Sequence, residues 1–118
     1  MTQDIEPKIV WLDRLGRALQ LAKRAAEAVS QSDDGGSCNL DAPMLFIGPR
    51  RLTERDLQQL AEDAPGTSLN RSQWFGRVCY IVNVGSFGQG NNNTRTAEAV
   101  CSVLKDQGFD CTMYYKVD

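Results

Sequence analysis

The sequence contains no histidine among its 118 residues. Without an imidazole, the chain cannot build a Ser-His-Asp or Cys-His catalytic group, a histidine-ligated metal site or a histidine pH switch. It also has no apolar run near the roughly 20 residues that a membrane-spanning helix needs. We therefore expect neither histidine-based catalysis nor insertion into a membrane.

Neither sign of charge is in large excess. Thirteen Lys and Arg residues stand against 15 Asp and Glu residues, which gives a net charge of -2. A chain with this balance has no overall field that attracts nucleic acid or an anionic membrane surface. We therefore do not expect nucleic acid as a partner.

The four cysteines are widely spaced, at Cys38, Cys79, Cys101 and Cys111. Structural zinc sites usually draw their ligands from close pairs such as Cys-x2-Cys, and the sequence has no such pair. The first residues are polar and acidic, without the basic and apolar regions of a secretory signal peptide. These features predict a cytoplasmic protein with reduced thiols and with no metal or other cofactor.

Residues 1–31 have the apolar spacing of an amphipathic helix. Apolar side chains recur at alternating steps of three and four, which is a heptad pattern. The members of this seam are Leu12, Leu15, Leu19, Ala22, Ala26 and Val29. Two uses of the seam are open: it can lie on the sheet of its own domain, or it can pair with another subunit. In the second case the helix is detachable and these six residues form an interface.

Residues 32–42 are rich in Ser, Asp and Gly and predict a flexible loop. Residues 43–118 then predict a compact α/β domain. Within it, Thr53 and Asp56 have the spacing of a capping box at the start of a helix that Pro65 and Gly66 end. Valines and Tyr80 alternate along residues 77–84, as in a central strand.

The order of these elements predicts an α+β fold. A long amphipathic helix precedes a strand-helix-strand-strand-helix-strand series, which suits a ferredoxin-like βαββαβ sandwich with a four-stranded antiparallel sheet. The second of these strands, within residues 67–76, is polar and weakly indicated. Without it, the same sequence would form a three-stranded parallel βαβαβ unit, and this alternative stays open.

A loop of glycines and asparagines at residues 85–93 connects a predicted strand to a predicted helix. Free backbone N–H groups and the positive end of a helix dipole favour anions at such a junction. The candidate anion-binding residues are Gly88, Gly90, Asn93 and, as the counter-charge, Arg95. The loop lacks the third glycine of the dinucleotide fingerprint and the Gly-Lys-Ser/Thr of a P-loop. It therefore indicates, at most, a small anion-binding or nucleotide-binding protein.

Trp74 and Phe75 form an adjacent aromatic pair beside the weakly indicated strand. Aromatic residues are enriched at protein–protein interfaces. We therefore add both residues to the predicted interface.

One part of the chain resembles a known family. The segments Tyr80-Ile81-Val82-Asn83-Val84-Gly85-Ser86-Phe87, Ala97-Glu98-Ala99 and Leu104-Lys105-x-x-Gly108-Phe109-Asp110 resemble the sporulation-related repeat (SPOR) domain. The motif match covers residues 80–110. The resemblance implies a βαββαβ fold, and it implies binding of denuded peptidoglycan glycan strands across the sheet.

No pair of carboxylates is placed by its spacing in one apolar-walled site, so we do not expect an enzyme. The leading hypothesis is a non-catalytic structural subunit that acts through protein–protein contacts in a homo- or hetero-oligomer, such as a virion or another multi-chain assembly. A SPOR-like glycan-binding module and a small protein that binds anions or nucleotides through residues 85–93 are the alternatives.

Overall fold

The computed structural model describes residues 6–30, 42–48, 50–84 and 91–114. These residues form an α+β fold, as the sequence predicts. Its elements are α1 (Lys8–Ser30), β1 (Ala42–Phe46), α2 (Glu54–Asp63), β2 (Ser68–Trp74), β3 (Arg77–Asn83), α3 (Asn91–Asp106) and β4 (Asp110–Tyr114). None of the described helices is long and apolar enough to cross a membrane.

The four strands form one sheet in the order β2-β3-β1-β4, with antiparallel pairing between all neighbours. The parallel three-stranded alternative is therefore wrong, because the polar segment forms β2. This strand lies at the edge of the sheet, and its backbone pairs with β3 at every position from Ser68 to Trp74. Few of its side chains need to be apolar, and Leu69 is the one that is fully buried.

The start of α2 shows how local sequence determines an element boundary. The Asp56 backbone N–H donates to Thr53 Oγ1 at 3.1 Å, and the Thr53 N–H donates to Asp56 Oδ2 at 2.9 Å. Both N–H groups would otherwise lack a partner at a helix start. The predicted capping box is confirmed.

The seam of α1 faces its own domain. Leu15, Leu19, Ala22 and Ala26 are fully buried, and they belong to the same hydrophobic cluster as the sheet residues Leu45, Tyr80 and Cys111. These four seam residues are therefore covered by their own chain, and α1 packs as part of the core.

Polar contacts add to this packing. The Lys23 Nζ donates to the Pro65 carbonyl oxygen at 2.6 Å, and the Arg14 guanidinium donates to that of Gln107 at the same distance. The main hydrophobic cluster extends over α1, α2, α3 and one face of the sheet. The helix predicted at residues 1–31 packs against the domain predicted at residues 43–118. Of the loop predicted at residues 32–42, only Ala42 is among the described residues, and it begins β1.

The two faces of the sheet have different coverings. Side chains on one face, including Leu45 and Tyr80, join the core under the helices. The other face carries a second cluster with Met44, Phe46 and Cys79 buried at its centre and Trp74, Ile81 and Tyr114 packed around them. No residue of the described helices belongs to this second cluster. This open face is therefore covered by side chains of the sheet itself.

Candidate interaction surface

The turn between β2 and β3 places a phenylalanine at an unusual backbone position. Phe75 and Gly76 form a two-residue turn in which both have positive φ, 49° and 80°. Such turns favour Asn-Gly or Gly-Gly, because a side chain with a Cβ clashes in the left-handed region. Phenylalanine at this position costs on the order of 1 kcal/mol. Its ring is 87 % exposed, so burial offsets little of that cost.

The exposed ring continues an aromatic cluster over the open face of the sheet. Trp74 contacts Phe75 and Tyr114 edge-to-face, with ring centroids 4.7 Å and 5.1 Å apart. Trp74 lies on edge strand β2 and Tyr114 on the opposite edge strand β4, so the two side chains meet above the central strands β3 and β1. The buried residues Phe46 and Cys79 belong to the cluster that these rings surround. The result is an apolar base from which Phe75 projects.

Charged groups flank this cluster. The Arg77 guanidinium lies over the Phe46 ring, 4.2 Å from its centroid, and is 3.7 Å from a carboxylate oxygen of Asp110. Both side chains of the ion pair are more than 60 % exposed, so solvent screens it and it adds little stability. An aromatic centre with a charged rim is typical of a protein interface. We refer to Trp74, Phe75, Arg77, Asp110 and Tyr114 as the hairpin surface.

The remaining predicted interface residues do not reach this surface. Leu15, Leu19, Ala22 and Ala26 are buried in the core, while Leu12 and Val29 are half-buried on α1. Trp74 is also half-buried, which leaves Phe75 as the most exposed member of the predicted set.

The residues predicted to bind an anion are only partly described by the structure. Gly88 and Gly90 lie outside the described residues. Asn93 belongs to α3, which begins at Asn91, earlier than the sequence predicts. Arg95 is exposed on the same helix. Two of the four predicted residues are therefore described, and both lie on α3.

The described cysteines have the environment of core residues. Cys79, Cys101 and Cys111 are buried free thiols. Burial raises the pKa of the Cys79 and Cys111 thiols, and the neighbouring Cys101 raises that of Cys111 further. A raised pKa leaves little of the reactive thiolate. In the described part of the chain, no group of three Cys, Asp or Glu side chains could hold a metal ion.

Sequence reasoning missed Tyr114 and Asp110 as neighbours of the aromatic pair. Both come from β4, and only the sheet brings Tyr114 to Trp74. One signal was present in the sequence. Met44, Leu45 and Phe46 are consecutive apolar residues, so both faces of β1 require a covering.

Comparisons with protein-family models, curated proteins and solved structures find no match to this chain. The resemblance to the SPOR family therefore stays a prediction.

Proposed function

We propose that this protein is a non-catalytic assembly subunit and that the hairpin surface binds a second copy of the chain. The observation that carries the proposal is the exposed Phe75 ring in a left-handed backbone conformation. Backbone strain that local packing does not repay is a feature of functional positions. Burial of this ring in an interface would remove apolar surface from water and offset the strain.

The charges of the hairpin surface favour a symmetric pair. Arg77 and Asp110 are exposed neighbours of opposite sign beside the aromatic residues. In a two-fold dimer each surface meets its own copy, so Arg77 of one chain can approach Asp110 of the other. A surface that carries both signs is therefore complementary to itself.

We also propose that the four strands and the helices α2 and α3 form a ferredoxin-like sandwich. The strand order β2-β3-β1-β4 with antiparallel neighbours supports a ferredoxin-like sandwich to which α1 adds a third helix. In this arrangement the helices occupy one face of the sheet, and the hairpin surface lies on the other.

Sedimentation equilibrium over a range of protein concentrations tests the assembly function. We expect the mean mass to rise above that of one chain in the wild type, and we expect Phe75→Asn to remain monomeric. Asparagine tolerates positive φ, so this substitution removes the ring and relieves the strain together. Ile9→Gln is the matched control, because Ile9 is also highly exposed, at 79 %, but lies on α1.

Two results would refute the proposal. The first is a wild type that stays monomeric up to high micromolar concentration. The second is a Phe75→Asn variant that associates as strongly as the wild type. Loss of association in Ile9→Gln as well would show that the effect is general to exposed apolar residues rather than specific to the hairpin surface.

A glycan-binding module is the second candidate, and the aromatic covering of the open sheet face favours it. Trp74 and Tyr114 lie on this face, and the neighbouring β2 residues Asn70 and Ser72 alternate toward the same side as Trp74. Aromatic rings with adjacent polar groups suit the apolar face and hydroxyls of a sugar. Co-sedimentation with purified glycan strands tests this candidate, and no retention of the wild type would exclude it.

A further inference from the structure

A groove lined by three arginines lies on the opposite side of the β2–β3 hairpin from the aromatic cluster. It has a volume of about 340 Å³ and runs between the residues that follow β1 and the strands β2 and β3. Its lining includes Arg50, Arg51, Arg71, Leu52, Val78 and Tyr80. Arg71 and Tyr80 are paired across the two strands, so they project to the same face of the sheet. We call this feature the arginine groove.

Two of the three arginines in the groove have no carboxylate partner among the described residues. Four other cationic side chains of the described residues form ion pairs, Lys8, Arg14, Arg17 and Arg77. Among the same described residues, Arg51 and Arg71 have no ion-pair partner. Both are exposed. Their guanidinium groups are therefore available to an anion.

Arg50 is held in place by α1. Its guanidinium donates to the main-chain carbonyl oxygen of Glu6 and lies 5.0 Å from the centroid of the Trp11 ring. The Glu6 carboxylate is engaged by two hydrogen bonds from Arg14, at 2.9 Å and 3.1 Å, which lower the pKa of Glu6. The charge of Glu6 also acts on Arg50, so it offsets part of the positive charge at this end of the groove. Arg51 and Arg71 carry most of the uncompensated charge.

The groove also has an apolar wall. Tyr80 is 4 % exposed and forms part of the core, while Leu52 and Val78 are partly exposed beside it. A volume of about 340 Å³ is at the small end of the range for ligand sites, roughly 300 to 1,000 Å³. The shape therefore fits a small molecule that joins an anionic group to an apolar body.

We propose that the arginine groove binds a small phosphate monoester with an apolar organic part. A guanidinium forms two parallel hydrogen bonds with a phosphate group, and a dianion suits two unpaired arginines better than a monoanion does. Leu52 and Val78 contact the organic part. This site is independent of the proposed assembly function, because it lies on the helix side of the sheet.

Isothermal titration calorimetry with phenyl phosphate tests the proposal. The comparison ligands are inorganic phosphate, which lacks the ring, benzoate, which carries one negative charge instead of two, and phenol, which is uncharged. We expect phenyl phosphate to bind most tightly and to weaken as salt is added. In Arg51→Gln and in Arg71→Gln we expect its Kd to rise roughly tenfold, because each loses a charge-assisted hydrogen-bond donor.

Arg55→Gln is the matched control. Arg55 is an exposed arginine on α2 that does not line the groove, so its loss changes the net charge by the same amount. We expect it to leave the Kd within about twofold of the wild type. The substituted arginines are exposed, and the circular dichroism spectrum of each variant checks that the fold is kept.

Four results would overturn the proposal. Absence of phenyl phosphate binding at millimolar concentration would exclude the site. Equal affinity for phenyl phosphate and phenol would show that the charge has no role in binding. Equal affinity for phenyl phosphate and inorganic phosphate would show that the apolar wall has none. Equal weakening in Arg55→Gln and Arg71→Gln would show attraction by net charge alone.

Discussion

Substitution of Leu19 by alanine measures whether α1 is part of the core. Leu19 is 0 % exposed and belongs to the main hydrophobic cluster, whereas Leu21 on the same helix is 41 % exposed. Leu→Ala at a fully buried site costs about 2 to 5 kcal/mol, and we expect about 3 kcal/mol here. For a chain of this length that corresponds to a fall in Tm of about 12 °C. Leu21→Ala should cost clearly less, about 1 kcal/mol, because leucine and alanine have similar helix propensities and less buried area is lost than at Leu19.

Urea unfolding followed by circular dichroism compares the two variants. Leu21→Ala is a matched control, since it makes the same chemical change on the same helix at a more exposed position. A single transition with a lower midpoint in Leu19→Ala supports one cooperative core. Equal midpoints for the two variants would refute the reasoning, because a detached helix would lose little in either case. A separate early transition for the helix would also contradict it.

Two further predictions concern titrating groups. Partial burial alone would raise the pKa of Asp56, but hydrogen bonds from Lys8 and Thr53 outweigh it and lower that pKa below 3.8. The contribution of Asp56 to stability is therefore present above pH 3.8 and is lost as the pH falls through the lowered pKa. Below about pH 4, the urea midpoint of the wild type should fall more steeply than that of Asp56→Asn. Parallel pH profiles of the two midpoints would contradict this. The buried thiols Cys79, Cys101 and Cys111 should react with a thiol reagent such as DTNB only after unfolding in urea, and immediate modification of all four cysteines in the native protein would contradict that burial.

Local signals in the sequence were sufficient for several elements. Thr53 and Asp56 satisfy each other's backbone N–H groups, so the start of α2 depends only on residues three positions apart. The apolar alternation before Val84 predicts β3 for a similar reason. In each case the determinant lies within the element, and the structure confirms it.

The role of α1 could not be predicted in the same way. An apolar stripe such as Leu15, Leu19 and Ala22 is equally suited to the chain's own domain and to a second subunit, since both bury the same area. The choice depends on what the rest of the chain leaves uncovered. Here α2, α3 and the sheet require the stripe to complete their core.

The candidate sites depend on the same long-range information. Composition indicated Trp74 and Phe75 as interface residues, but the strained turn arises from the register of β2 with β3. Arg51 and Arg71 are 20 positions apart in sequence, and the groove between them exists only once the strands and the segment before α2 are folded. The net charge of -2 for the whole chain does not show this local excess of positive charge, although Arg50 and Arg51 are adjacent in the sequence.

The β2–β3 hairpin supports both proposed sites on opposite faces, and this arrangement makes them separable. Side chains alternate along β2, so Arg71 projects toward the helices while Trp74 projects to the open face. Phe75→Asn should therefore change the mean mass but leave the Kd for phenyl phosphate within about twofold, since distant sites contribute additively. Arg71→Gln should weaken phenyl phosphate and leave the mass unchanged. If either substitution alters both measurements, the hairpin responds as one unit, and ligand binding and assembly are coupled through it.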